Sequence, residues 1–350
     1  MLRTTRSRIE KFALHTPFRI ARGTKTAAEV VSVTIVQNGI EGRGEAVPYA
    51  RYGETLQSVS DQIAGLAPEL DRGMGRDGLL AALPAGAARN AIDCALWDLE
   101  ARLDSPAPTT PHTEPVITAV TVGVDTPENM ARAAAILANV PLLKIKLNED
   151  NPQACLEAVR KAAPDPQLIV DPNESWDFDI LQSLQEPMAE LDVAFVEQPL
   201  PAGADDCLAG LDRAVPVCAD ESCHTSQDLS HLSGLYDIIN IKLDKTGGLT
   251  EALALYEAGR ARNFGIMVGC MISSSLSIAP ALKVARHADY VDLDGPAWLA
   301  DDRENGVAIE CGMIHPPPAD FWAALTPPLP VPPVRRNDQI GKFALRRTRP

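Results

Sequence analysis

A repeat in the second half of this chain constrains its fold more than any other feature. Short apolar runs rich in β-branched residues recur about every 25 residues, at 116–122, 142–147, 168–170, 193–196, 215–219, 238–241, 266–268 and 290–293. Runs this short, bounded by polar and turn-forming residues, predict strands buried on both faces. Most gaps between them hold an amphipathic helical stretch, for example 127–137, 154–162, 180–191 and 249–262. Eight strands alternating with helices predict an α/β fold, a parallel (β/α) barrel. A doubly wound sheet is the structural rival, but it usually carries a Gly-rich phosphate turn after its first strand, and the sequence has none. GxxxxGK[ST], HExxH and GxSxG are missing too.

Residues 1–110 read differently, as an α+β unit. Segments 7–14, 30–37 and 42–47 have strand character, and Asn38-Gly39 between the last two is a hairpin signal. Helices are expected at 55–66 and 85–102; the second places Ala88, Ala91, Ile92, Ala95, Leu96 and Leu99 on one face. Four prolines within 105–115 mark a linker. The barrel is expected over 116–310. The segment 311–350, with nine of the 29 prolines beyond residue 315 and a basic end, is expected to return over the first unit and complete it.

Composition narrows the function classes. The 350 residues carry 32 Lys+Arg against 47 Asp+Glu, a net charge of −15, which argues against nucleic-acid or anionic-membrane partners. No apolar run approaches the length of a membrane span, and residues 1–10 lack the apolar core of a secretory signal. Seven cysteines without CxxC spacing predict free thiols and a cytoplasmic location. Cys218 with Cys223-His224 hints at zinc, but a second ligand pair is lacking.

Chemistry-bearing residues recur at the C-terminal ends of the predicted strands: Lys144-Ile145-Lys146, Asp171 with Asn173, Glu197, Asp220-Glu221, Asn240-Ile241-Lys242 and Asp292-Leu293-Asp294. In a barrel these ends converge on one rim, where such folds do chemistry. A lone acid after a strand is more often a helix cap. Three acids on consecutive strands, flanked by lysines, form a joint pattern that caps do not explain. Converging carboxylates repel unless a hard cation lies between them, so Asp171, Glu197 and Asp220 are expected to bind Mg²⁺. Lys146 and Lys242 would then flank a substrate held on the metal and exchange protons with it. Lys144, on the same strand face as Lys146, would favour the neutral amine there by like-charge repulsion.

The run Lys-x-Lys, Asp-x-Asn, Val-Glu-Gln-Pro, Ala-Asp-Glu-Ser and Asn-Ile-Lys with a following Gly-Gly resembles the enolase superfamily, muconate-lactonizing subgroup, over nearly the whole chain. Within it the chain is most similar to the dipeptide epimerases that act on L-Ala-D/L-Glu. The resemblance implies a modified (β/α)7β TIM barrel with an α+β N-terminal capping domain, and Mg²⁺ with no organic cofactor. It also implies inversion of the C-terminal residue's α-carbon through an ene-diolate, with Lys146 and Lys242 as acid and base. Asn173 and Glu221 would orient the metal ligands. Asp292 and Asp294 would take the dipeptide's ammonium, and the segment Arg51-Tyr52-Gly53-Glu54 would bring Tyr52 over the substrate. Lys25, at the end of Ile20-Ala21-Arg22-Gly23-Thr24-Lys25, would reach an acidic side chain. Close relatives carry arginine there; lysine keeps the charge but loses the bidentate fork, so a looser preference is expected. Asp244 is expected to pair locally, with Lys245 or Lys242. The resemblance further implies recycling of cell-wall peptides and a homo-oligomer. A muconate cycloisomerase or o-succinylbenzoate synthase reaction and a non-catalytic peptide-binding barrel are the alternatives. The first gives no reason for two acids at the eighth strand; the second gives none for two intact lysines.

Overall fold

The computed structural model describes residues 3–104 and 114–323. Its first unit is built on a long antiparallel hairpin, β1 (Arg3–Ile20) and β2 (Gly23–Gln37), with Ala21-Arg22 at the tip. β3 (Ile40–Ala46) completes the sheet across a turn at which Asn38 (φ 55°) and Gly39 (φ 79°) are both left-handed, as a type I′ turn requires. α1 (Leu56–Asp71), started by a Thr55/Ser58 capping box, α2 (Arg76–Ala82) and α3 (Ala87–Asp104) cover one face. All six apolar residues expected on one face of α3 are buried. Glycine in β3 sets how close α3 comes: a Cβ on Gly44 would overlap the Ala91 carbonyl and stand 2.7 Å from the Ala95 nitrogen.

The second unit begins with the two-residue β4 (Val116–Ile117). Eight parallel strands follow in sequential order: β5 (Val120–Val122), β6 (Leu142–Lys146), β7 (Gln167–Asp171), β8 (Val193–Glu197), β9 (Val217–Ala219), β10 (Ile238–Ile241), β11 (Gly265–Gly269) and β12 (Tyr290–Asp292). The Ala119 amide donates to the Val291 carbonyl at 2.8 Å and brings the two edges together. Helices α4 (Pro127–Ile136), α5 (Pro152–Ala162), α6 (Phe178–Glu190), α7 (Leu229–Leu232), α8 (Leu243–Thr246), α9 (Leu249–Ala261) and α10 (Ser275–Ala285) fill the crossovers; β8 and β9 are linked by one 3₁₀ turn, Asp206–Gly210. Two differences from the sequence reading have clear causes. The expected first strand, 116–122, is divided because Ile117 pairs with Met313 of a side sheet formed by β4, β13 (Ala308–Glu310) and β14 (Met313–His315). α10 has no amphipathic period because it is buried on nearly all sides, and it contains Pro280.

The chain returns to the first unit at its described end, where the Trp322 indole donates to the Arg43 carbonyl (3.0 Å) and the Ala323 amide to Asp98 (2.8 Å). The proline-rich linker from 105 to 113 and the segment 324–350 lie outside the described residues. All seven cysteines are free, and no described helix is long and apolar enough to cross a membrane.

Buried polar contacts fix the first unit on the barrel. Arg89 donates to the Thr246 carbonyl at 2.6 Å, and Asp93 accepts from Thr250. Asp244 departs from the expected local pairing. Its Oδ1 accepts from the Val47 amide (2.9 Å) and Asn90 Nδ2 (2.8 Å), whereas Lys245 turns inward to Asp220. Complete burial pushes the Asp244 carboxyl up to about 7, against the pull of those two donors. The folded state therefore holds this proton more tightly than the unfolded chain. The stabilisation is full below the ordinary carboxylate value of 3.8 and is lost as pH rises through 7. Asp244→Asn keeps the acceptor and removes the charge. Urea unfolding is expected to place this variant above wild type at pH 8, with the gap narrowing through pH 5 and closing near the ordinary carboxylate value of 3.8.

Candidate active site

The eight strand ends form a rim crowded with opposite charges. Asp171 and Glu197 end β7 and β8, and Asp220 follows β9; each is at most 1% exposed. Lys144, in β6, places its ammonium 3.0 Å from Asp171, 2.7 Å from Glu197 and 2.8 Å from Asp292. Lys146, at the end of β6, pairs with Asp171. Lys242, just past β10, stands 2.6 Å from Asp220. β6 and β10 are four strands apart in the order of eight, which puts Lys146 and Lys242 on opposite sides of the rim with the three acids between them. Asp292 and Asp294 follow at the end of β12. Asp294 accepts from the Thr121 amide at 2.9 Å, and Asp292 Oδ1 is buried without a donor.

Burial and neighbouring charge set the protonation here. Burial, with Asp171 and Asp220 nearby, pushes the Glu197 carboxyl up to about 7; Lys144 and Lys242 only partly offset this. Burial acts in the same sense on Asp171 and Asp220, yet adjacent lysines hold both below the ordinary carboxylate range. Burial likewise opposes the charge on Lys242, but Asp220 and Glu197 hold its pKa above the usual lysine value. Lys144 behaves alike among Asp292, Glu197 and Asp171. Three carboxylates therefore face the Lys144 charge.

The donor set suits a hard divalent cation. Asp171, Glu197 and Asp220 offer only oxygen, and no donor is aligned for a hydrogen bond to Glu197 Oε2 or Asp220 Oδ1, although Lys144 and Lys245 stand 2.7 Å away. Asn173 donates to Asp171 from its backbone amide (2.8 Å) and Nδ2 (3.3 Å), and Asn240 Nδ2 donates to Glu197 at 2.8 Å. Gln198 Oε1 accepts from the Asp220 amide at 2.9 Å, and Lys245 binds the Asn240 carbonyl at 2.8 Å while pairing with Asp220. The sequence reading placed Asn240 at a strand end and paired Lys245 with Asp244, but gave neither of them, nor Gln198, a part in holding the acids. A polar Asn240 inside Ile-Ile-Asn-Ile was the available signal. A second group, Asp205, Asp206 and His231, comes together outside the lining of the mouth; its latter two members are exposed.

The first unit supplies the walls of a mouth of about 620 Å³, counting the part open to solvent. Phe18, Ile20, Arg22 and Lys25 come from the β1–β2 hairpin, and Tyr49 and Tyr52 from the segment after β3. Lys25 Nζ lies 5.1 Å from the Tyr49 ring centre and forms no ion pair among the described residues; burial lowers its pKa. Tyr52 packs edge-on against Tyr49 and His224. Glu221 is engaged by Arg22 at 2.6 Å. Of the site residues expected from the sequence, Lys25, Tyr52, Lys144, Lys146, Asn173, Asp220, Glu221, Lys242, Asp292 and Asp294 line this mouth, whereas Asp171 and Glu197 are not in its lining and pair with Lys144. Cys218, Cys223 and His224 do not assemble into a zinc site; both cysteines are buried and His224 packs on Tyr52.

Two solved structures share this arrangement of chain. One, from Agrobacterium tumefaciens, is described as an enolase family member with homology to dipeptide epimerases, with sodium and L-Ala-L-Glu bound. It aligns with a TM-score of 0.87 at 43% identity over 92% of this chain and 100% of that one. The other, an L-Ala-D/L-Glu epimerase, aligns at 0.83 with 46% identity over 90% and 99%. By sequence the chain is 48% identical to the L-Ala-D/L-Glu epimerase of Escherichia coli K12 over 90% of its length and all of the relative. It is 42% identical to an N-acetyl-D-glutamate racemase from a Pseudoalteromonas species over 84% and 95%. Residues 2–107 match the mandelate racemase/muconate lactonizing enzyme N-terminal domain, and residues 128–320 match the enolase C-terminal domain-like family. The chain belongs to the mandelate racemase/muconate lactonizing enzyme branch of the enolase superfamily.

Proposed function

We propose that this protein is a Mg²⁺-dependent dipeptide epimerase that inverts the α-carbon of the C-terminal residue by 1,1-proton transfer, with L-Ala-D/L-Glu as its substrate pair. One observation carries the reading: Lys146 and Lys242 face each other across the rim, with three buried carboxylates between them. An α-carbon held over those acids meets one amine on each face. One lysine takes the proton and the other returns one to the opposite face, which is what inversion requires. Asp171, Glu197 and Asp220 would hold the Mg²⁺, which when bound supplies Lewis-acid stabilisation of charge building on the substrate carboxylate. Asn173 orients Asp171 through its two hydrogen bonds.

Charge placement supports the choice of dipeptide. The unpartnered Asp292 Oδ1, with Asp294 beside it, suits an ammonium group. Arg22 is engaged by Glu174 and Glu221, whereas Lys25 is a partly desolvated cation without an ion pair among the described residues, ready for a side-chain carboxylate. A role in recycling cell-wall peptides in the cytoplasm fits such a substrate and the free thiols, and a homo-oligomer fits barrels of this type. Racemisation of N-acyl glutamate is a second reading, favoured by the 42% identical racemase. It would leave Asp292 Oδ1 without a donor.

Proton NMR in D₂O with Mg²⁺ separates these readings. The glutamyl α-proton of L-Ala-L-Glu is expected to exchange with inversion, while L-Ala-L-Lys and N-acetylglutamate exchange slowly. Lys146→Ala and Lys242→Ala are each expected to cut turnover by about 10²–10⁴-fold. Exchange that survives the double lysine variant sinks the mechanism. Mg²⁺ affinity should also depend on pH. A Glu197 carboxyl near 7 must lose its proton to bind metal, so calorimetry should show affinity rising from pH 6 to pH 8 with proton release, and Glu197→Gln should flatten that rise.

A further inference from the structure

We propose that Glu174 is a positioning residue that latches two segments of the first unit over the barrel mouth and thereby sets how tightly substrate is held; this rests on reading that mouth as the dipeptide site. Three separate stretches of chain meet on its carboxylate. Arg51 donates to both oxygens, Nη2 to Oε1 and Nε to Oε2, each at 2.8 Å. Arg22, from the tip of the β1–β2 hairpin, donates to Oε2 at 3.0 Å. The Ala202 amide, from the barrel segment after β8, donates to Oε1 at 2.8 Å and ties the carboxylate to the barrel.

The backbone is shaped for this task. Asn173 and Glu174 follow each other in the left-handed region, at φ 48° and 68°, which Asn tolerates and Glu adopts rarely. The Glu174 amide donates to the Gln198 carbonyl at 2.9 Å, which anchors that turn directly after Asp171 and Pro172. What the two arginines carry gives the latch its consequence. Arg22 shares its hairpin with Phe18, Ile20 and Lys25, and Arg51 adjoins Tyr52; all of these except Arg51 line the mouth. Glu221 and the Asn173 carbonyl also hold Arg22, whereas Glu174 is the one carboxylate paired with Arg51 among the described residues. Loss of Glu174 would thus free the Tyr52 segment and loosen the hairpin. Lys146, Lys242 and the three acids, on the strands or directly after them, would stay in place. The arginine side chains are 27% and 40% exposed, so solvent and salt weaken the latch and it can open.

Glu174→Ala is the direct test. If the closed mouth falls to about a tenth of the population, KM for L-Ala-L-Glu rises about tenfold with kcat little changed. The Mg²⁺ dissociation constant from calorimetry should stay at the wild-type value. Arg51→Met, a change at a partly exposed side chain, should raise KM in the same direction, and the double variant should add little to Glu174→Ala alone. Trypsin should cut after Arg22, Lys25 or Arg51 about tenfold faster in Glu174→Ala than in wild type. A wild-type KM and cleavage rate in Glu174→Ala would overturn the proposal. So would additive effects of the two variants, or Mg²⁺ affinity that falls along with substrate affinity, which would make Glu174 a prop for Asp171. Proteolysis and calorimetry need no turnover, so they read the latch even if no dipeptide is epimerised.

Discussion

Mutual neutralisation of buried charge at one end of a barrel is the constraint on which the rest of this structure depends. Asp171, Glu197 and Asp220 are almost completely removed from water, and so are Lys144, Lys146, Lys242 and Lys245. None of these ions could be buried alone without shifting its pKa to neutrality. Together they form a lattice of ion pairs in which each lysine answers at least one acid. Asp292 and Asp294, also buried on this rim, bring the acids to five against four lysines, and a divalent cation suits that excess.

That arrangement needs a rigid frame. Parallel strands one register apart deliver Lys146 beside Asp171, because those two residues are Cα partners in the β6–β7 ladder. Strand pairing thus fixes the separation of acid and amine, with the apolar faces of β6 to β11 holding the strands in place. Geometry sets the charge on two of these lysines: burial opposes it, yet the carboxylates facing Lys144 and Lys242 hold both above the usual lysine value.

The first unit contributes enclosure and selection. Its hairpin and the segment around Tyr52 build the walls of the mouth, while Asp244, Asn90, Asp93 and Arg89 fasten its helix α3 to the barrel through buried hydrogen bonds. Firm attachment at α3 and solvent-exposed ion pairs at the loop tips divide the unit into a fixed base and a looser rim. A site that must admit a dipeptide and then exclude water during proton transfer has use for both.

Much of this was legible in the amino-acid order. Strand period, the β/α repeat and the recurrence of acids and lysines at strand ends are local patterns, and a barrel converts local position along a strand into position on one rim. Lys146, Asp171, Glu197, Asp220 and Lys242 could therefore be read together before any coordinate was known. Tertiary structure alone decided what lies outside that period. Arg22, Arg51, Glu174 and Ala202 meet across as many as 180 positions of sequence, with no repeat linking them. Asp244 turned from its lysine neighbour to the first unit because the Val47 amide and Asn90 approach it from another unit. Helix α10 escaped notice because burial on nearly every side erases the periodicity that announces a helix. Secondary structure and ligand chemistry are encoded by near neighbours along the chain; which distant side chains share a charge is settled only when the two units pack.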